Sequence, residues 1–136
     1  MYEFWDTNIV LKFARQNLLH QVTANVLISV VVEGELEAIS LRNRWGIKKR
    51  QSLDVFLSTV PIIEITSEIS KTYAKIDAYS QGLLDGIPLP KGMSARNMGK
   101  NDLWIAATAL FFNANLHSDD GDFEHLTNLG IKLIKI

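Results

Sequence analysis

The chain has 136 residues, 47% hydrophobic and 21% charged, enough apolar material for one core and far from the composition of a disordered chain. Its formal net charge of −1 excludes a molecule-wide basic field, and the absence of cysteine excludes a disulfide framework or a thiolate zinc site. A single domain over residues 1–136, located in the cytoplasm, is the expectation: Glu3 and Asp6 stand where a secretory leader would be basic and then apolar, and no run approaches the roughly 18 apolar residues of a membrane span.

Hydrophobic period and punctuation predict the elements in order. Tyr2–Trp5 reads as a strand, followed by a helix capped by Thr7 or Asn8 and carrying Ile9, Val10, Phe13 and Ala14. A turn over Asn17–Thr23 leads to a second strand, Val26–Ile28. Ser29 caps a helix through about Asn43, with Val31, Val32, Leu36 and Ile39 on one face. Lys48–Ser58 is a further helix with Leu53, Phe56 and Leu57 inward, and Pro61 opens a strand over Ile62–Ile65. Thr66 or Ser67 starts a helix that Gly82 and Gly86 end, and Ile87–Gly99, with two prolines and two glycines, is expected to be a mobile loop. Asp102–Phe112 is helical, Asn115–Ser118 a strand, Phe123–Asn128 a short helix and Lys132–Ile136 a closing strand.

This alternation predicts an α/β fold, a three-layer α/β/α sandwich around a mostly parallel five-stranded sheet, because right-handed crossovers require helices on both faces. In such sheets sites form beyond the carboxyl ends of strands, where strand order reverses. Carboxylates collect at those ends. Asp6 follows the first strand, and Ser118-Asp119-Asp120-Gly121-Asp122 follows the fourth. Taken singly, Asp6 and Asp122 read as helix caps and Asp119–Gly121 as a turn.

Glu35 is less easily explained away. Val31, Glu35 and Ile39 stand four apart, so the helix aims this carboxylate along an apolar face, where it needs a cation, an ion-pair partner or a rim position that reaches water. Glu33 and Glu37 turn away toward solvent. Asp102 precedes Ile105, Ala106 and Ala109 on the packed side of its helix, although an acid in a first turn also complements the helix dipole. Four elements thus deliver carboxylates toward one end of a sheet, and a hard cation would relieve their repulsion. Oxygen-only ligation suits Mg²⁺ or Mn²⁺, which suggests phosphoryl chemistry with metal-activated water as nucleophile. His20, His117 and His125 lie in no serine-nucleophile motif.

Four segments together resemble the PIN-domain family, especially the VapC-type toxins of bacterial toxin–antitoxin modules: Phe4-Trp5-Asp6-Thr7-Asn8-Ile9, Ser29-Val30-Val31-Val32-Glu33-Gly34-Glu35-Leu36, Asn101-Asp102-Leu103-Trp104-Ile105-Ala106-Ala107-Thr108-Ala109 and Leu116-His117-Ser118-Asp119-Asp120-Gly121-Asp122-Phe123. The resemblance implies strand order 3-2-1-4-5 and catalytic, metal-binding roles for Asp6, Glu35, Asp102 and Asp120. It implies a supporting metal role for Asp122, and orienting hydrogen bonds from Thr7, Asn8 and Ser118. It further implies an Mg²⁺- or Mn²⁺-dependent endoribonuclease, an RNA substrate, a cognate antitoxin partner and a homodimer. Trp5, His117 and Gly121 depart from the family's usual residues without removing a carboxylate.

Substrate-binding residues are less marked. Arg42, Arg44, Lys48, Lys49 and Arg50, with Trp45 among them, can hold a phosphate backbone and stack a base, or simply form a solvated basic junction between two helices. A receiver-like phosphoacceptor domain fits poorly, because the third strand ends Ile65-Thr66 where such a domain needs an Asp. A stand-alone PIN nuclease, or a PIN-like module that only binds RNA or protein, is the remaining alternative.

Overall fold

The computed structural model describes residues 1–22 and 25–135. Five strands, β1 (Glu3–Trp5), β2 (Val26–Ser29), β3 (Ile62–Ile63), β4 (Asn115–His117) and β5 (Lys132–Ile134), form one sheet in the order β3-β2-β1-β4-β5 with every pairing parallel. The order reverses between β1 and β4, which pair Glu3 with Asn115, Phe4 with Leu116 and Trp5 with His117. The crossovers carry five helices: α1 (Thr7–Arg15), α2 (Val30–Arg42), α3 (Ile47–Thr59), α4 (Ser67–Ser80) and α5 (Lys100–Phe111). Two 3-10 segments, Leu19–Gln21 and Gly121–Leu129, complete the chain.

The three inner strands are buried as a parallel sheet covered on both faces requires, with Phe4, Ile28 and Leu116 fully enclosed, while the edge strand β5 exposes Lys132 and Ile134. They share one core with Ile9 and Val10 of α1, Val32 and Leu36 of α2, Leu53 of α3, Ile69 and Ile76 of α4, and Ile105 and Ala106 of α5. Three of the helices are started by a side-chain cap. Asp6 caps α1, Ser29 Oγ accepts from Val31 N at 3.0 Å at the start of α2, and Thr66 Oγ1 accepts from Ile69 N at the start of α4. Helix α4 ends in a left-handed Gly82 (φ 74°), with Leu83 N bonded to Ala78 O and Gly82 N to Tyr79 O, so two terminal carbonyls are satisfied.

The expected strand order and alternation are those observed, with local differences. Asp6, read singly as a cap, is the cap of α1 in place of Thr7 or Asn8, because it has extended backbone and accepts from Thr7 N. The Gly121–Leu129 segment, by contrast, is capped by Asp120 and not by Asp122. Tyr2, Glu64, Ile65 and Ser118 lie outside the strands, and Phe123–Asn128 is wound as 3-10 rather than α. Thr23 and Ile136, which the sequence assigned to a turn and to the last strand, lie outside the described residues. Ile87–Gly99 holds no helix or strand, yet it is tied to α4: Arg96 N donates to Ser80 O at 2.8 Å, Ser80 Oγ donates to Arg96 O at 2.9 Å, and Met98 is buried.

Candidate active site

The carboxyl ends of β1 and β4 are joined directly. Asp6 N donates to His117 O at 3.0 Å, and Asp6, 5% exposed, has its side chain held from two directions. Oδ1 accepts from Thr7 N at 2.7 Å and Oδ2 from Ser118 Oγ at 2.7 Å. Burial raises the pKa of Asp6, those two hydrogen bonds oppose the shift, and the charges of Glu35 and Asp120 add to it. Ser118 Oγ also accepts from Asp120 N at 3.0 Å, and Asn8 Nδ2 reaches it at 3.5 Å. One buried hydroxyl therefore fixes Asp6 and the turn that carries Asp120.

Glu35 comes from α2. Its Oε1 accepts from Thr7 Oγ1 at 2.9 Å, which bridges the first turn of α1 to the middle of α2. The buried stripe of α2 is Val32, Leu36 and Ser40, so Val31, Glu35 and Ile39 sit half-buried at its edge. Glu35 thus occupies a rim position, open toward the other acids, rather than the middle of an apolar face.

Asp102 is the third residue of α5, and with Asp120 and Asp122 it offers oxygen atoms that all lie within 4.8 Å of one another. Burial and then the charges of Asp6, Asp120, Asp122 and Glu35 push Asp102 up to a pKa of about 6. Asp102 therefore feels all four of the other acids, and three of the five are close enough to share an ion. Opposite ligands of an Mg²⁺-sized ion stand about 4 Å apart, so the trio needs only a small inward movement to meet one. An all-oxygen donor set under mutual repulsion fits a hard divalent cation and does not fit a soft metal.

Asp119 points elsewhere and pairs with Lys12 of α1. Asp120 Oδ1 accepts from Asp122 N at 2.9 Å, which shapes the acidic turn. Gly121 does not use a positive φ in this turn, and nothing lies within 4 Å of an added Cβ, so the turn does not depend on glycine's conformational freedom.

The basic residues after α2 divide. Arg50 is engaged within the protein, with Nη2 on both Glu37 oxygens at 2.9 Å, Nε on Asp54 at 2.9 Å and Nη1 on Ser40 Oγ at 2.6 Å; Glu37 is accordingly paired and not simply solvated. Lys49 Nζ covers the Trp45 ring at 4.1 Å from its centroid. Arg42, Arg44 and Lys48 are exposed. Gly34 and Asn101, which line a groove beside Glu35 with Arg42, were not singled out by the sequence; a glycine inside a helical pattern with no turn to make was the available signal.

Residues 4–129 match the PIN domain, and the chain belongs to the PIN-domain family, whose members are nucleases. No curated protein sequence matches the chain significantly. Among solved structures it is similar over 100% of its length, and 99% of the other chain, to a chain of VapBC2 from Rickettsia felis bound to a DNA fragment from their promoter (TM-score 0.73, 24% identity). It is also similar to a chain of VapBC-1 from nontypeable Haemophilus influenzae (TM-score 0.65, 22% identity, 99% and 98% covered) and to one of FitAcB from Neisseria gonorrhoeae (TM-score 0.66, 16% identity, 97% and 96% covered). At these identities the likeness is one of fold.

Proposed function

We propose that this chain is a divalent-metal-dependent endoribonuclease and the toxin of a type II toxin–antitoxin module. The observation that carries the reading is the meeting of Asp102, Asp120 and Asp122 within 4.8 Å at the switch-point end of a PIN-domain sheet, with Asp6 and Glu35 in electrostatic reach. Asp6, Glu35, Asp102 and Asp120 would hold Mg²⁺ or Mn²⁺, with Asp122 supporting them. When bound, the ion supplies charge stabilisation for a phosphodiester and a water acidic enough to attack it at neutral pH.

The chain's own part is positioning. Ser118 and Thr7 N hold the Asp6 carboxylate by both oxygens, and Thr7 Oγ1 donates to Oε1 of Glu35. Burial, and then the charges of four other acids, favour a proton on Asp102 in metal-free protein. Two structures of similar fold are a toxin–antitoxin complex and a member of a toxin–antitoxin family by name, which supports an antitoxin as partner. The homodimer and the cytoplasmic setting rest on the family resemblance alone. No helix among the described residues is long and apolar enough to cross a membrane.

The test is incubation of purified protein with single-stranded and structured RNA in Mg²⁺ or Mn²⁺. Internal cleavage that stops on chelation is expected; no cleavage with either metal contradicts the reading. A small co-transcribed protein that forms a complex with the chain and suppresses cleavage is expected for the toxin assignment.

A further inference from the structure

Beside the acidic cluster runs a groove of about 420 Å³ lined by Val30, Val31, Gly34, Glu35, Ala38, Ile39 and Arg42 of α2 and by Asn101 of α5. Glu35 and Arg42 are seven residues apart, which places them on the same face of α2 about 10 Å apart along its axis. The groove therefore starts at the acids and ends at a cation. Its volume lies within the range of small-ligand sites.

Gly34 gives the groove its depth. It lies in the interior of α2, where glycine costs about 1 kcal/mol relative to alanine. It has no positive φ, and an added Cβ would meet nothing within 4 Å, so neither backbone conformation nor close packing calls for glycine here. The space a side chain would fill is the groove floor, and Ala38, one turn on, keeps that floor low. Arg42 complements the helix C-terminus, as a basic residue there does in many helices, but this does not account for Gly34. Among the described residues no acid forms an ion pair with Arg42, in contrast to Arg50.

Resting on the ribonuclease reading, we propose that this groove holds a nucleotide of single-stranded RNA flanking the scissile phosphate. Arg42 binds that nucleotide's phosphate, the floor opened by Gly34 and Ala38 receives its base against Val31 and Ile39, and the Asn101 amide offers hydrogen bonds to the base edge. A single strand suits the site because an unpaired base can turn into such a recess, whereas a duplex keeps its bases stacked. Continuity with Glu35 at one end and a cation at the other favours a polyanion running away from the reaction centre over an acidic peptide.

The experiment compares kcat/KM for a single-stranded RNA oligonucleotide with kcat/KM for bis(p-nitrophenyl) phosphate, both in Mn²⁺, in wild type, Arg42→Ala, Arg42→Lys and Gly34→Leu. The small diester reaches the acids without filling the groove. The RNA-to-diester ratio is expected to fall about tenfold in Arg42→Ala, mainly through KM, with partial recovery in Arg42→Lys. Gly34→Leu should lower the same ratio by blocking the recess. The salt dependence of RNA binding should become shallower by about 0.7 in log–log slope in Arg42→Ala, the loss of one single-strand phosphate contact. If wild type hydrolyses the diester and all variants keep the wild-type ratio, the groove does not bind RNA and the nuclease reading stands alone. If wild type hydrolyses neither substrate, the nuclease reading fails and the groove proposal fails with it.

Discussion

Ser118 Oγ donates to Asp6 Oδ2 at 2.7 Å across 112 positions of sequence, and so ties the carboxyl ends of the two central strands at the point where strand order reverses. The same oxygen receives Asp120 N, so the hydroxyl has a partner on each side and is fully buried. Ser118→Ala removes both contacts and leaves a buried carboxylate short of a donor. It should cost about 1–3 kcal/mol of stability and weaken Mn²⁺ binding together. Urea unfolding with and without Mn²⁺ measures both; a variant as stable as wild type with unchanged metal response would show that this bond organises nothing.

Glu35 is held by Thr7 Oγ1 at 2.9 Å, and glutamine keeps an oxygen to accept that bond. Glu35→Gln should therefore fold with stability within about 1 kcal/mol of wild type, while losing on the order of 100-fold or more in RNA cleavage because the ligand charge is gone. Cleavage by gel assay and thermal unfolding separate the two effects. A variant that unfolds would make Glu35 a structural group, one whose loss breaks α2 away from α1.

Part of the fold was legible because a buried parallel strand announces itself as a short apolar run between turn residues, as Val26–Ile28 did. In Asn115–Ser118, by contrast, only Leu116 is apolar, and the strand shows through its place between a helix and an acidic turn. The order of those strands came from the resemblance, not from periodicity. The rotation of α2 was less legible: Val31, Val32, Leu36 and Ile39 suggest one broad apolar face, but Ser40 turns inward to meet Arg50, and this moves Glu35 to the rim. A pattern in which a serine replaces the expected apolar residue hides its own inward face. The commitment of Arg50 to Glu37 and Asp54 was likewise invisible, since one partner lies 13 residues away on another helix. The acids were found by position at strand ends and helix starts, but their convergence within one ion's reach needed three dimensions.

Asp102 has a folded pKa of about 6 against an ordinary value of 3.8, so in metal-free protein the folded state binds this proton more tightly than the unfolded state. The stability it contributes is fully present below pH 3.8 and is lost as pH rises through about 6. Asp102→Asn has no such charge to lose. In chelator it should exceed wild type in stability by on the order of 1 kcal/mol near neutral pH, a figure reduced for the solvent that screens this half-buried group, and the gap should close toward about pH 4. Saturating Mn²⁺ should reverse the ranking, because the ion stabilises only the chain that binds it. Urea midpoints across this pH range provide the check; a gap that does not change with pH would contradict the assignment of the shift to burial and neighbouring carboxylates.

Asp119 and Asp120 are adjacent in sequence and opposite in environment: the first pairs with Lys12 of α1, while the second meets Asp102 and Asp122 within 4.8 Å. The most direct test of a metal-dependent nuclease at this cluster is the rate of RNA cleavage as a function of Mn²⁺ concentration in Asp119→Asn, Asp120→Asn and Asp122→Asn. Asp119→Asn should follow the wild-type curve, Asp122→Asn should require more Mn²⁺, and Asp120→Asn should lose on the order of 100-fold or more across the titration. An inactive Asp119→Asn beside an active Asp120→Asn would contradict the placement of the metal site.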